Sequence, residues 1–205
     1  MTLGSLIFLA AFGANPSVEL WAPAGISSPM FESHPAFDPW SGDLYFVRSS
    51  PSFQGWRIKL SRCQPTGWTA PIDAPFAGDG GEADPWFAPG GRRLYFISTR
   101  STDGIKRTDL DIWMVDRDAA GEWGEPRRLP APVNSTGREW FPRLGPDGWL
   151  YFGSDRPGGL GRTAIWRARE HRPGRWVAEN AGAALNTAGQ EYGPLPSPDG
   201  KRMIV

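Results

Sequence analysis

The sequence predicts an all-β fold, a β-propeller built from four-stranded blades, and three observations carry that prediction. A repeat with a period near fifty residues runs along the chain, each repeat holds the same ordered strand and turn signals, and no segment keeps the apolar spacing of a helix. Composition agrees. The 205 residues include 26 Gly, 21 Pro and 11 Trp, turn-formers beside large aromatics, as expected for short strands joined by tight corners. Prolines interrupt nearly every window long enough to hold a helix.

Each repeat opens on Glu-x-x-Pro, at Glu32 to Pro35, Glu82 to Pro85, Glu139 to Pro142 and Glu191 to Pro194, with the prolines spaced by 50, 57 and 52 residues. A corner follows at Pro39-Trp-Ser-Gly42, Pro89-Gly-Gly91, Pro146-Asp-Gly148 and Pro198-Asp-Gly200. Proline presets φ there and glycine takes the left-handed position, so these are hairpin turns. Apolar second strands come next: Leu44-Tyr-Phe46, Leu94-Tyr-Phe96, Leu150-Tyr-Phe152 and Met203-Ile-Val205. Third strands lie at 56–60, 111–115 and 164–168. Fourth strands are expected to open on Gly67-Trp68, Gly121-Glu-Trp123 and Gly174-Arg-Trp176.

Four strands at this period make a propeller blade. Residues 18–23 lack the opening motif and read as an outer strand that closes the ring, which would remove exposed sheet edges. The expected organisation is a leader at 1–15 and a propeller at 16–205, with blades from 32, 82 and 139 and a partial one from 191. That is about three full blades with partial first and last ones, a fragment of a six-bladed ring. Pairing of two copies is the alternative way for a chain cut inside a blade to complete itself.

The leader holds the apolar run Leu6-Ile-Phe-Leu-Ala-Ala-Phe12, with Ala11 and Gly13 suited to a cleavage site. It has the length of a signal-peptide core and is too short to span a bilayer. It lacks a positive n-region, the first basic residue being Arg48. A buried first strand or a misplaced start codon are the alternatives to export.

Lys plus Arg and Asp plus Glu both number 22, so the formal net charge is zero. Nucleic-acid binding relies on clustered cations, and the longest basic groupings here are pairs, so that function class is set aside. Cys63 is the single cysteine, leaving no internal disulfide and no Cys-based metal cluster. Neither Gly-x-Ser-x-Gly nor His-Glu-x-x-His occurs. The glycines at 158, 159 and 161 lack the Lys-Ser/Thr of a phosphate loop, and Asp109-Leu-Asp111 is too short for a calcium loop. Asn134-Ser-Thr136 matches the glycosylation pattern only weakly. No cofactor, no metal site and no catalytic residue is expected.

The ordered motifs Glu-x-x-Pro, Pro-Asp-Gly, Leu-Tyr-Phe, Ser154-Asp155-Arg156-Pro-Gly158-Gly159 and Ile165-Trp166 resemble the WD40-like repeat of TolB-type propellers, over roughly residues 18–205. The opening Leu20-Trp-Ala-Pro-Ala-Gly25-Ile-Ser27 is similar to the start of stand-alone exported members with no assigned activity. The resemblance implies a bacterial, periplasmic or secreted, non-enzymatic propeller. Relatives of this repeat serve as protein-docking modules, as accessories to cell-wall anchors and as gates on serine peptidases. The first repeat departs from the pattern, with Arg48-Ser-Ser50 in place of Ser-Asp-Arg, and Ala164 stands where an Asp precedes Ile-Trp.

Candidate binding residues follow from strand order, because first strands are innermost and start near one mouth of the channel. Glu32, Glu82, Glu139 and Glu191 could form a partial carboxylate ring for a cation or basic peptide. The preferred alternative pairs Glu82 with Arg100 and Glu139 with Arg156 as clasps between inner strands. Glu32, with no arginine at the matching place, is expected to be the free member. His34 fills the variable slot of its motif, where the other repeats carry Asp84, Phe141 and Gly193; it is expected to be packed or solvated.

The variable loops at 50–55, 101–108 and 157–162 share that face, and Arg100, Lys106, Arg107, Arg156 and Arg162 make it more cationic than the chain average. Trp40, Trp86, Trp140 and Trp149 fall outside the repeating tryptophan slots, and one could stack on a sugar ring. The expected role is a scaffold for a protein or envelope component. The runner-up is a domain that gates a hydrolase encoded further along.

Overall fold

The computed structural model describes residues 19–102, 104–105 and 107–205. The leader, Val18 and Lys106 lie outside the described residues. No helix occurs among the described residues, so none is long and apolar enough to cross a membrane.

Three four-stranded antiparallel sheets follow one another along the chain. The first holds β1 (Phe31–Phe37), β2 (Leu44–Ser49) and β3 (Arg57–Ser61), then a side hairpin of β4 (Cys63–Gln64) and β5 (Gly67–Trp68), then its outer strand β6 (Ile72–Asp73). The second is β7 (Glu82–Phe87), β8 (Arg93–Ser98), β9 (Asp111–Asp116) and β10 (Arg127–Arg128). The third is β11 (Glu139–Leu144), β12 (Leu150–Ser154), β13 (Ala164–Arg172) and β14 (Arg175–Asn180). A last hairpin joins β15 (Leu195–Pro196) to β16 (Met203–Ile204). The hairpin corners turn at glycines with φ of 77° at Gly42, 70° at Gly91, 78° at Gly148 and 69° at Gly200, as the Pro-Gly pattern requires.

The sheets stack through their first strands. β7 lies against β1, β2 and β3, and β11 lies against β7, β8 and β9. Second strands are therefore covered on both faces, and their side chains alternate between two cores. In β8, Leu94 and Phe96 join Tyr45, Ile58 and Leu60 of the first sheet. Tyr95 and Ile97 join Leu150 and Phe152 of the third.

The expectation for the fourth strands is corrected. Glu19 to Pro23 pair with none of the described strands. The Pro23 carbonyl instead accepts from the N–H groups of Ile26 and Ser27, turning the chain, and Trp21 packs against Phe37 and Trp68. The Gly-Trp pieces open the fourth strand only in the third sheet. In the first they form the side hairpin, and in the second Trp123 makes a single bridge with Arg117. The cause in the second is inward packing: the Trp123 ring meets Phe76, in the connection between β6 and β7, and its Nε1 donates to the Tyr45 hydroxyl of β2 at 2.9 Å.

Asn134 is buried rather than displayed. Its Oδ1 accepts from the Ile112 N–H at 2.7 Å, and its Nδ2 donates to the carbonyls of Ile112 (2.9 Å) and Leu129 (2.8 Å). Asn186 repeats the clamp on Ile165. The match to a glycosylation site is thus a strand clamp.

Sheets one and two are also locked by charge. Both Asp38 oxygens accept from Arg117, at 2.7 and 2.5 Å, and the two side chains are 1% and 5% exposed. Arg117 lies over the rings of Trp40 and Trp123 as well. Gly91 makes room for it, since a Cβ there would stand 2.6 Å from Arg117 Nη2.

Burial pushes the Asp38 carboxyl up, but hydrogen bonds from Arg117, the Trp40 N–H and the Ser41 hydroxyl outweigh it and hold the group below its ordinary 3.8. A carboxyl lowered on folding stabilises the fold above its unfolded pKa, and that contribution is lost as pH falls through the folded value. Below about pH 4, urea unfolding of Asp38→Asn is therefore expected to depend less on pH than that of the wild type. Superimposable acid limbs would contradict the pairing.

Candidate functional site

The Glu-x-x-Pro motif is a β-bulge. Register slips between Ser33 and Ala36, between Ala83 and Trp86, and between Trp140 and Arg143. The third motif residue is left-handed in every repeat: His34 (φ 51°), Asp84 (56°), Phe141 (51°) and Gly193 (80°). Left-handed non-glycine residues are uncommon and cost energy, so their recurrence at one slot marks a built feature.

The motif glutamate anchors the bulge. In each repeat the residue four positions earlier donates to its carboxylate: the Ser28 hydroxyl, the Gly78 N–H, the Ser135 hydroxyl and the Thr187 hydroxyl. An arginine closes the clasp on Glu32, Glu82 and Glu139. Arg100 meets Glu82, and Arg156 meets Glu139 at 2.8 Å; both carboxylates are fully buried. The same arginines donate to carbonyls of the preceding turn, Phe76 for Arg100 and Pro132 and Val133 for Arg156.

The expectation that Glu32 is free is corrected: Arg48 Nε donates to it at 2.9 Å, and Arg48 Nη2 reaches the Ile26 carbonyl. The reason is register. Arg48 stands directly across from Glu32, where Ser98 and Ser154 face the other two glutamates. The clasping arginine is thus drawn from within the strand rather than from two residues past it.

No arginine reaches Glu191 among the described residues; its Oε2 is buried without a partner. Burial pushes the carboxyls of Glu82 and Glu139 up, opposed by the Gly78 N–H and Arg100 in one and by Ser135 and Arg156 in the other. Three of the four carboxylates are spent on clasps.

What the structure does bring together is the set of left-handed residues. His34 Nε2 lies 3.4 Å from Asp84 Oδ1, and Asp84 Oδ2 accepts the Phe141 N–H at 3.0 Å. The Phe141 ring sits 5.4 Å from His34 and stacks on Tyr192 at 6.0 Å. Arg143 closes over Asp84, with its guanidinium 4.8 Å from the Trp86 ring. Gly153 permits the last contact, since a Cβ there would stand 3.0 Å from Tyr192 Cβ. The residues that differ among repeats therefore touch in series across three first strands.

Ser33 Oγ lies 2.8 Å from His34 Nδ1 in hydrogen-bond range, while Asp84 approaches the other ring nitrogen only at 3.4 Å. A serine nucleophile would need His34 to become a cation. Burial lowers its pKa, Asp84 raises it and Arg143 lowers it again, for a net shift below the ordinary 6.5. Ser33 orients the imidazole, and burial together with Arg143 disfavours its protonation.

Beside this cluster opens a pocket of about 330 Å³. Phe53, Trp56, Trp140, Phe141 and Tyr192 form its aromatic walls, and Arg138, Arg162, Thr163 and Gln190 add polar groups. Phe53 and Arg162 come from two of the variable loops. The tryptophans considered for sugar stacking are occupied by cations instead: Arg92 and Arg117 over Trp40, Arg143 over Trp86, Arg138 over Trp140, and Arg167 and Arg169 over Trp149. Of these four, Trp140 alone lines the pocket. No group of His, Cys, Asp and Glu able to hold a metal occurs among the described residues.

Among solved structures, the chain is similar to TolB from Acinetobacter baumannii, with a TM-score of 0.55 and 19% identity. The match covers 87% of this chain and 38% of that one, so the chain spans well under half its length. At this identity the likeness is one of fold, a TolB-like succession of sheets. No model of a protein family matches, and no curated protein does.

Proposed function

We propose that the three sheets are consecutive blades of an exported, non-enzymatic propeller with six blades, a scaffold whose loop face docks a protein or cell-envelope component. One observation carries this reading. The three equivalent loops between second and third strands each expose a large apolar side chain: Phe53 (41%), Ile105 (60%) and Leu160 (64%). Loops gain nothing in stability from exposed apolar groups, and a recurring set on one face of a rigid scaffold is the signature of a contact surface. Clasped glutamates beneath hold the loops in place without serving as ligand groups. The likeness in fold to TolB supports the propeller arrangement.

Site-specific photocrosslinking in a cell-envelope extract tests it. The crosslinker p-benzoylphenylalanine in place of Phe53, Ile105 or Leu160 is expected to capture one common partner. The same group in place of Val177, exposed on the outer strand β14, is expected to capture none. Equal capture at Val177, or no product from any loop, would overturn the reading.

A further inference from the structure

We propose that the 330 Å³ pocket binds a small aromatic carboxylate, its ring held between aromatic walls and its acid group at the Arg162 rim. The size is at the lower end of small-ligand pockets, enough for one ring system with a polar handle. This goes beyond docking on the loop face, since no protein partner is needed to fill it.

Four features fix the ligand class. The wall is aromatic on several sides, and Phe53 is held left-handed at φ 59°, a strained state for a bulky residue, with its ring 5.1 Å from Trp56. Asp84, the lining carboxylate, is already engaged by His34 and the Phe141 N–H. Arg138 is held by Asp155, with Nε at 3.0 Å and Nη2 at 2.9 Å. Arg162 has no ion-pair partner among the described residues, and next to it the Thr163 Oγ1 is buried with none for its hydroxyl.

The pocket thus offers apolar faces, one uncompensated cation and one unused hydroxyl donor. Glu191 lines the adjoining cleft, where its carboxylate accepts from Thr187. An anion with a flat apolar body satisfies this set; a cation of the same shape would meet Arg162 head on.

Isothermal titration with 2-naphthoate, 2-naphthamide and 2-naphthylmethylamine separates the possibilities. The acid is expected to bind about tenfold tighter than the amide, and the amine more weakly than either. Arg162→Gln should equalise acid and amide while keeping amide binding. Tyr192→Ala, at a position 56% exposed and so harmless to the fold, should weaken both. Absence of binding by all three probes, an amine that binds best, or affinities indifferent to both substitutions would overturn the proposal. None of these results would alter the crosslinking outcome.

Discussion

Arg117→Ala is expected to destabilise the protein by about 3–5 kcal/mol, the usual cost of stranding one member of a buried ion pair. Asp38 would keep its charge at 2% exposure with no cation beside it, and Trp40 and Trp123 would each lose the guanidinium above them. Urea unfolding reads this as a fall in midpoint at constant slope. The double variant Asp38→Leu/Arg117→Met should recover much of the loss, because the desolvation of both charges disappears with the pair. A single-variant loss below about 1 kcal/mol, the range of exposed pairs, would mean that the lock contributes little and that apolar packing alone holds sheets one and two together.

Glu139→Ala carries a comparable expectation, again about 3–5 kcal/mol. Removal of this carboxylate leaves Arg156 largely buried without a counter-charge and frees the hydroxyls of Ser135 and Ser154. The three clasps should rank by burial. Glu32→Ala should cost clearly less than Glu139→Ala, since Glu32 and Arg48 keep 19% and 20% of their side-chain surface in water. Equal losses at both sites would show that burial is not what gives the clasp its strength.

Much of this architecture is legible in the sequence because its determinants are local. A Pro-Gly corner must turn, and the Leu-Tyr-Phe runs must be covered, whichever residues cover them. The Glu82 and Glu139 clasps are readable for the same reason, since hairpin geometry brings a strand start near its partner's end. The Glu32 clasp escapes a motif search because Arg48 occupies the cross-strand position itself. The outer strand β10 shifts because Trp123 answers to Tyr45 of the first sheet, which no local pattern encodes.

The pocket was hidden for a different reason. His34, Asp84, Phe141 and Gly193 share no chemistry, so one slot filled four ways reads as noise. Only the bulge, which makes every third motif residue left-handed, shows that they meet. A variable position inside an otherwise constant motif was the available signal. The arginines over Trp40 and Trp86 come from other strands or corners, and no spacing rule anticipates them.

The central claim is a division of labour: motif glutamates hold the sheets, and the left-handed residues with their loops face the ligand. Parallel urea unfolding and 2-naphthoate titration of Glu139→Ala and Tyr192→Ala test it most directly. Glu139→Ala should lose stability yet, where still folded, bind 2-naphthoate as the wild type does, while Tyr192→Ala should unfold normally and bind poorly. A Glu139→Ala protein of unchanged stability that no longer binds would contradict the account and return the carboxylates to the ligand.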